Sequence, residues 1–404
     1  VEARAAVERI FRDEHARIVA TLVRRLGDID RAEEAAADAL VVALEKWPVD
    51  GVPPNPGAWL TTTAAHRGID RLRRESRRDD KHRAAMVIQD DTPHEPTGVV
   101  VDDRLRLVFT CCHPALAPEA RVALTLRLVA GLGVAEVAQA FLVPETTMAQ
   151  RITRAKRKIS QARIPFRVPE PADLRARLDA VLAVVYLVFN EGYLASGGDE
   201  PVRAELTAEA IRLGRLLREL VPDQPEVTGL LALMLLTEAR RTARVADGEL
   251  VTLGEQDRSG WDHALIAEGH ALVRECLATN RPGTYQLLAA INAVHTDAPS
   301  AADTDWAQVL ALYDRLVLVA PGPVVRLNRA VALAELDGPA VALAEVDGLD
   351  LDGYHAWHAT RADLLRRLGR SAEARAAYDA AIAATDNSAE RAYLSRRRGS
   401  LATG

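Results

Sequence analysis

Cysteine, aromatic side chains and long apolar runs are all scarce in this sequence. Three cysteines among 404 residues, Cys111, Cys112 and Cys276, cannot build a disulfide framework and fit a reducing compartment. Cys111 and Cys112 are adjacent, a poor spacing for structural zinc, which uses C-x₂₋₄-C, and no second pair follows. No metal site is expected; two small buried thiols near a helix end are. No apolar run approaches the ~20 residues that span a bilayer. The first residues, Val1-Glu-Ala-Arg, lack an apolar signal core. A cytoplasmic protein without a membrane partner is the expectation. No nucleophile elbow or phosphate-binding glycine loop occurs, so no catalytic residue, cofactor or enzyme activity is expected. Alternating β-branched strands are almost absent as well.

What is abundant is Ala, Leu, Arg and Glu, all good helix formers. Apolar residues make up 49%, enough for sizeable cores, and the length suits two or three domains. An all-α chain is predicted, in four parts: a small helical domain over 1–86, a flexible linker over 87–101, a second small domain over 102–164, and a large helical region over 172–404. The linker reading rests on two prolines, a glycine and three acidic residues. The net charge of −6 hides an asymmetry. Residues 1–168 carry 27 basic and 23 acidic side chains; 169–404 carry 24 and 34, so the two parts stand at +4 and −10.

In the first block, Asp30-Arg31-Ala32-Glu33 has the spacing of a capping box with Asp30 as the cap. The helix behind it puts Ala36, Leu40, Ala43 and Trp47 on one stripe and Glu34, Asp38 and Glu45 on polar faces. An ordinary solvated amphipathic helix reads the same way. The next helix, 58–78, buries Ala65, Ile69 and Leu72. Thr63, Arg67, Asp70, Arg71, Arg74 and Arg78 lie opposite. Residues 67–83 hold eight basic and four acidic side chains, a face that can follow a phosphate backbone or merely be solvated. Trp59 suits either a core or a stack on an unpaired base.

In the second block a helix over 120–130 ends at Gly131. A short helix, 134–141, a turn at Leu142-Val143-Pro144 and a longer helix, 145–160, follow. Met148, Ile152, Ala155 and Ile159 recur at intervals of 4, 3 and 4 and share a buried face. Between Thr146 and Arg167 stand seven basic residues and no acidic one. Short helix, tight turn and longer basic helix is helix-turn-helix geometry. Thr147, Gln150 and Arg151 are placed for base edges. Arg154, Lys156, Arg157 and Lys158 are long arms for phosphates. A helical pair without DNA is the competing reading.

The C-terminal region shows degenerate repetition. Gly369, Ala374, Tyr378 and Ala381 fall at the spacings of the tetratricopeptide pattern. Ala330, Leu333 and Ala342 hold equivalent places in a unit starting at Pro323, and Trp306, Tyr313, Leu316 and Pro321 suggest half of another. Such stacked hairpins leave a concave face that usually binds protein. Tyr186, Phe189 and Tyr193 cluster beside Asn190 and Glu191 in a chain with only 17 aromatics. They form either a buried helix ending near Gly192 or a docking surface against the DNA-binding domains.

Taken in order, these segments resemble the extracytoplasmic-function sigma factors of bacterial RNA polymerase, in the group with a tetratricopeptide-like C-terminal extension. DIDRAEEAAADALVVALEKW, 28–47, is similar to the core-polymerase-binding helix of sigma region 2. PGAWLTTTAAHRGIDRLRRE, 56–75, is similar to the helix that melts and reads the minus-10 element. GLGVAEVAQAFLVPETTMAQRITRAKRKI, 131–159, is similar to region 4, which reads the minus-35 element. FTCCHPAL, 109–116, and YLVFNEGY, 186–193, look like signatures of the extended group. The resemblance implies that Glu34, Asp38 and Leu40 face core polymerase. Trp59, His66, Arg67, Asp70, Arg71 and Arg74 would serve the minus-10 element, and Thr147, Gln150, Arg151, Arg154 and Lys158 the minus-35 element. It further implies core RNA polymerase, double-stranded promoter DNA and the melted minus-10 strand as partners, with a regulatory protein on the repeat region. The chain departs from the family at Ala36-Ala37-Asp38-Ala39-Leu40, where a polar run is common, and at Ala149-Gln150, where Lys-Ser is common. A stand-alone helix-turn-helix regulator with a repeat-type sensor, which would not need the 56–75 helix, and an enzyme or pure scaffold are the rival readings.

Overall fold

A computed structural model describes residues 2–79, 103–141, 143–193, 204–246, 249–385 and 387–401. The 87–101 linker lies outside the described residues. Eighteen α-helices and one pair of two-residue strands make up the regular structure among them. The fold is all-α apart from that pair, and it divides into two compact units, Val1–Leu187 and Val188–Gly404.

The first unit begins with three mutually packed helices, α1 (Glu2–Leu26), α2 (Ile29–Asp50) and α3 (Pro56–Asp79). Helix α2 starts two residues earlier than its sequence suggests. Asp28, in extended backbone at φ −144° and ψ 133°, is the cap, and its carboxylate accepts from the Arg31 amide at 2.9 Å. Asp30 therefore lies inside the helix and does not cap it. Ala36, Ala43 and Trp47 are buried as the stripe predicts, while Leu40 is half-buried. Asn55 opens α3 by accepting from the Ala58 amide at 3.0 Å, ahead of Pro56.

The second block is α4 (Asp103–Cys111), α5 (Pro118–Leu124), α6 (Val134–Ala140) and α7 (Glu145–Gln161). The helix expected to run unbroken to residue 130 instead passes into a π turn over Thr125–Val129. Gly131 follows at φ +77°, where a side chain would be strained and its Cβ would stand 3.0 Å from the His15 Cβ. Met148, Ile152, Ala155 and Ile159 of α7 are all buried. Helix α4 and the π turn pack on α1, so the two small helical domains share one unit.

The FTCCHPAL segment ties this unit together. Phe109 is fully buried, and its carbonyl accepts from Arg177 of α8 (Pro171–Tyr193) at 2.8 Å. Cys112 Sγ lies 3.4 Å from Thr125 Oγ1 in the π turn. Burial pushes the Cys112 thiol up to about 11 and raises that of Cys111 well above the usual range. Both are free, buried thiols at a helix end.

The second unit takes in the end of α8, then α9 (Ala204–Leu220), α10 (Pro225–Glu238), α11 (His263–Thr279) and α12 (Thr284–Asp297). Helix α10 is apolar on every side and is packed by α9, α11 and α12, as a central helix must be. Beyond come α13 (Trp306–Val319), α14 (Pro323–Leu336), α15 (Pro339–Asp347), α16 (His355–Arg367), α17 (Ser371–Ala383) and α18 (Ser388–Gly399), consecutive helices packing in turn. Ala330, Ala342, Ala374, Tyr378 and Ala381 share one buried cluster, and Gly369 turns the chain at φ +74° between α16 and α17. The strand pair, β1 (Val245–Ala246) and β2 (Glu249–Leu250), is antiparallel. Helix α18 packs on β2, with Arg396 Nε 2.7 Å from Glu249 Oε2.

His295 on α12 gives this unit a pH response. Its ring meets Trp306 edge-on at 5.3 Å. Burial, reinforced by Arg240 and Arg258, lowers its pKa to about 4. An unfolded histidine titrates near ~6.5, so on acidification the unfolded chain takes up the proton first. Stability is therefore whole above about pH 6.5 and falls by up to about 3 kcal/mol as the pH drops toward 4. Melting curves of the full chain between pH 7 and pH 4 should show this decline in the transition of the second unit. His295→Phe should flatten it; an equally steep decline in that variant would assign the effect to other groups.

Candidate polymerase and promoter interfaces

Two exposed polar faces stand out in the first unit. The first lies across α2 and α3. Glu34 is exposed and Asp38 half-buried, and both meet Arg71 of α3: Arg71 donates to Glu34, and through Nη2 to Asp38 at 2.9 Å. Arg71 thus joins the residues expected at the minus-10 element to those expected at the polymerase. Such solvent-facing pairs contribute only about 0–1 kcal/mol each, so a phosphate or a partner's side chain can displace them. His66, Arg67, Asp70 and Arg74 are exposed along the same helix, and Arg74 Nε donates to the Asp70 carbonyl at 3.2 Å. Trp59 is half-buried, with its ring edge-on to the buried Trp47 at 5.3 Å. The structure therefore gives Trp59 a partner in the core and leaves part of the ring open.

The second face is on α7. Gln150, Arg154 and Lys158 are exposed, and Thr147 and Arg151 are half-buried beside them. Pro144 stands at the helix start and α6 packs against α7. Of the five residues expected to face outward on this helix, three are exposed and two are only partly so. Lys156 departs from that expectation. It turns inward, with 14% of its side chain exposed, to meet Asp30 and Glu33 of α2. No spacing rule could announce this contact, since 126 positions separate Lys156 from Asp30. Glu33, read from sequence as half of a capping box, is 8% exposed and also lies 2.8 Å from Arg127 Nε.

Around 186–193, Phe189 is buried and stacks on Tyr193 at 5.8 Å. The Arg244 guanidinium covers the Tyr193 ring at 3.9 Å. Tyr186 and Glu191 are half-buried and Asn190 is exposed.

Sequence comparison identifies the class of protein that carries these faces. The chain matches the family described as Sigma-70 region 2 over residues 10–78 and Sigma-70, region 4 over 106–159. It belongs to the extracytoplasmic-function sigma factors of the sigma-70 family, with an additional C-terminal region. Part of that region, 177–277, matches a family of unknown function, DUF6596. The ECF RNA polymerase sigma factor SigK of Mycobacterium ulcerans is 30% identical over 148 residues, covering 35% of this chain and 76% of that one. An uncharacterized protein of Rhizobium meliloti is 44% identical over 387 residues, 92% of this chain and 90% of that one. No solved structure matches. Sigma factors are not enzymes. Among the described residues no helix is long and apolar enough to cross a membrane.

Proposed function

We propose that the protein binds core RNA polymerase and directs promoter-specific transcription initiation. The observation that carries this reading is the order of two exposed polar faces, α2–α3 then α7, on helices matching regions 2 and 4. Glu34, Asp38 and Leu40 face the polymerase. Trp59, His66, Arg67, Asp70, Arg71 and Arg74 serve the minus-10 element and its melted strand. The pair α6–α7 acts as a helix-turn-helix, with Thr147, Gln150, Arg151, Arg154 and Lys158 on the minus-35 duplex. Co-purification with core polymerase followed by run-off transcription tests the assignment. Promoter-dependent transcripts that require the protein are expected. DNA binding without polymerase association would favour a stand-alone regulator instead.

Within this reading Arg151 and Lys158 differ. Arg151→Ala should relax discrimination at one minus-35 base pair and cost ~1–3 kcal/mol, the worth of a bidentate base contact. Lys158→Ala should weaken all sequences alike. Binding to a panel of single-base minus-35 variants separates the two, and an unchanged preference profile removes Arg151 from base readout.

The C-terminal region, 172–404, acts as a tetratricopeptide-like regulatory or protein-interaction domain that docks on the promoter-reading part through Tyr186, Phe189, Asn190, Glu191 and Tyr193. A double change, Phe189→Ala with Tyr193→Ala, tests the packing of the aromatic pair. Because Phe189 is fully buried, the double change is expected to lower the melting temperature, so docking is read from Asn190→Ala, exposed on the same helix, which should lose transcription at an unchanged melting temperature. A much lower melting temperature of the double variant assigns the pair to internal packing, for which the Tyr193–Arg244 contact speaks.

A further inference from the structure

Region 2 and region 4 meet through a buried carboxylate. Glu33 on α2 has its Oε1 2.8 Å from Arg127 Nε, in the π turn, and its Oε2 against Lys156 Nζ of α7. Each oxygen meets a cation, so the buried charge is compensated from two elements at once. Asp30 adds a second carboxylate 2.8 Å from Lys156. Burial alone would depress the Lys156 ammonium; Glu33 and Asp30 outweigh it and hold its pKa above the ordinary lysine value. Two further contacts join the same domains. His15 Nδ1 lies 3.1 Å from the Leu128 carbonyl, and Arg24 Nε donates to Asp103 at 2.7 Å. Gly131, with no side chain, is what lets the turn after Leu128 close on His15.

This closed arrangement is too short for a promoter. On the reading proposed above, on which this inference rests, the two domains read elements about 25 base pairs apart. At ~3.4 Å per pair that is on the order of 85 Å of duplex. In the closed form, Arg71 reaches Arg151 through two ion pairs and two short helix stretches, by way of Glu34, Asp30 and Lys156. That path is no more than about 40 Å. Twenty-three residues lie between Asp79 and Asp103 in the sequence, a contour length of up to ~80 Å, so the chain length permits the domains to part.

We propose that Glu33, clasped by Arg127 and Lys156, is a latch that holds regions 2 and 4 in a closed form unable to occupy both promoter elements, and that engagement of core polymerase opens it. A buried charge loses its compensation when one partner leaves, which makes the contact two-state and not gradual. Lys156 is then a positioning residue, facing α2 in the resting protein, while Arg154 and Lys158 on the same helix stay exposed for DNA.

The test uses the full-length chain carrying a donor and an acceptor dye at Glu45→Cys and Ser160→Cys, both exposed positions on α2 and α7. The native thiols are buried and should not compete for label. A single short distance is expected for the parent protein. Glu33→Gln, which removes the charge and keeps the shape, should move at least half of the molecules to a longer distance. Asp30→Asn, at a solvent-facing position, should give a smaller shift of the same sign. Saturating core polymerase should lengthen the distance in the parent protein. An unchanged short distance in both variants overturns the latch. So does a short distance that persists in a transcriptionally active polymerase complex. Failure to associate with polymerase at all would instead overturn the sigma-factor reading, while the two variants still decide whether Glu33 holds the domains together.

Discussion

Phe109→Ala is expected to destabilise the first unit by about 3–5 kcal/mol, the usual loss for an aromatic ring removed from a closed core. The ring is fully buried, and the backbone around it is held at fixed points. Its carbonyl accepts from Arg177, and three residues on, Cys112 rests on Thr125. Those ties stop the surroundings from collapsing into the space left by the ring, which favours the upper part of the range. Chemical denaturation of the full chain, followed through the transition of this unit, gives the measurement. Phe109→Leu should cost less than about 1.5 kcal/mol because it keeps most of the volume. A Phe109→Ala midpoint equal to the parent's would mean that the FTCCHPAL segment is not a packing element.

Gly229→Ala should destabilise the second unit, although the same change in an exposed helix stabilises by up to about 1 kcal/mol. Helices α10 and α12 cross closely at this point. A Cβ on residue 229 would stand 2.7 Å from the Gln286 amide nitrogen and 2.9 Å from its Cα. These are backbone atoms, so no rotamer change relieves the overlap and one helix must shift. The shift would also pull α12 from its cap. Gly283 precedes that helix without a capping side chain, and the Glu226 carboxylate of α10 accepts from the Tyr285 and Gln286 amides at 3.0 and 3.2 Å. Overpacking of this kind costs about 1–3 kcal/mol, and loss of a cap adds about 1 kcal/mol. Thermal melting of Gly229→Ala beside Glu226→Gln tests both parts. A Gly229→Ala protein as stable as its parent would show that the helices can separate freely.

The two helix starts explain which features were legible in the sequence. Periodicity located the α7 stripe of Met148, Ile152, Ala155 and Ile159, because burial on a helix is a local rule. The same holds for Ala374, Tyr378 and Ala381 in the C-terminal helices. The outward residues Gln150, Arg154 and Lys158 followed from the same arithmetic. Spacing points to Asp30 as the cap of α2, but Asp28 is an equally good acceptor, and only the backbone angles at 28 choose between them. The cap of α12 was invisible, since its acceptor comes from Glu226, 59 residues before Tyr285. Glu33 and Lys156 escaped for the same reason. Each has a good local explanation, as capping partner and as phosphate arm, and the tertiary contact competes with both. The π turn at 125–129 has no composition that separates it from an α-helical turn.

The return of α18 to β2 changes how the second unit should respond to force. An open stack of hairpins peels from either end, one unit at a time, because each repeat touches only its neighbours. Here Arg396 near the last helix end is fastened to Glu249, 147 positions earlier in the chain. Between β2 and α18 the chain is closed on itself, so the C-terminal helix is not a free edge. Pulling from the C-terminus must first break that fastening, after which the helices behind it lose their lock together. A single large rupture replaces a staircase of small ones, and trimming α18 should convert the former into the latter.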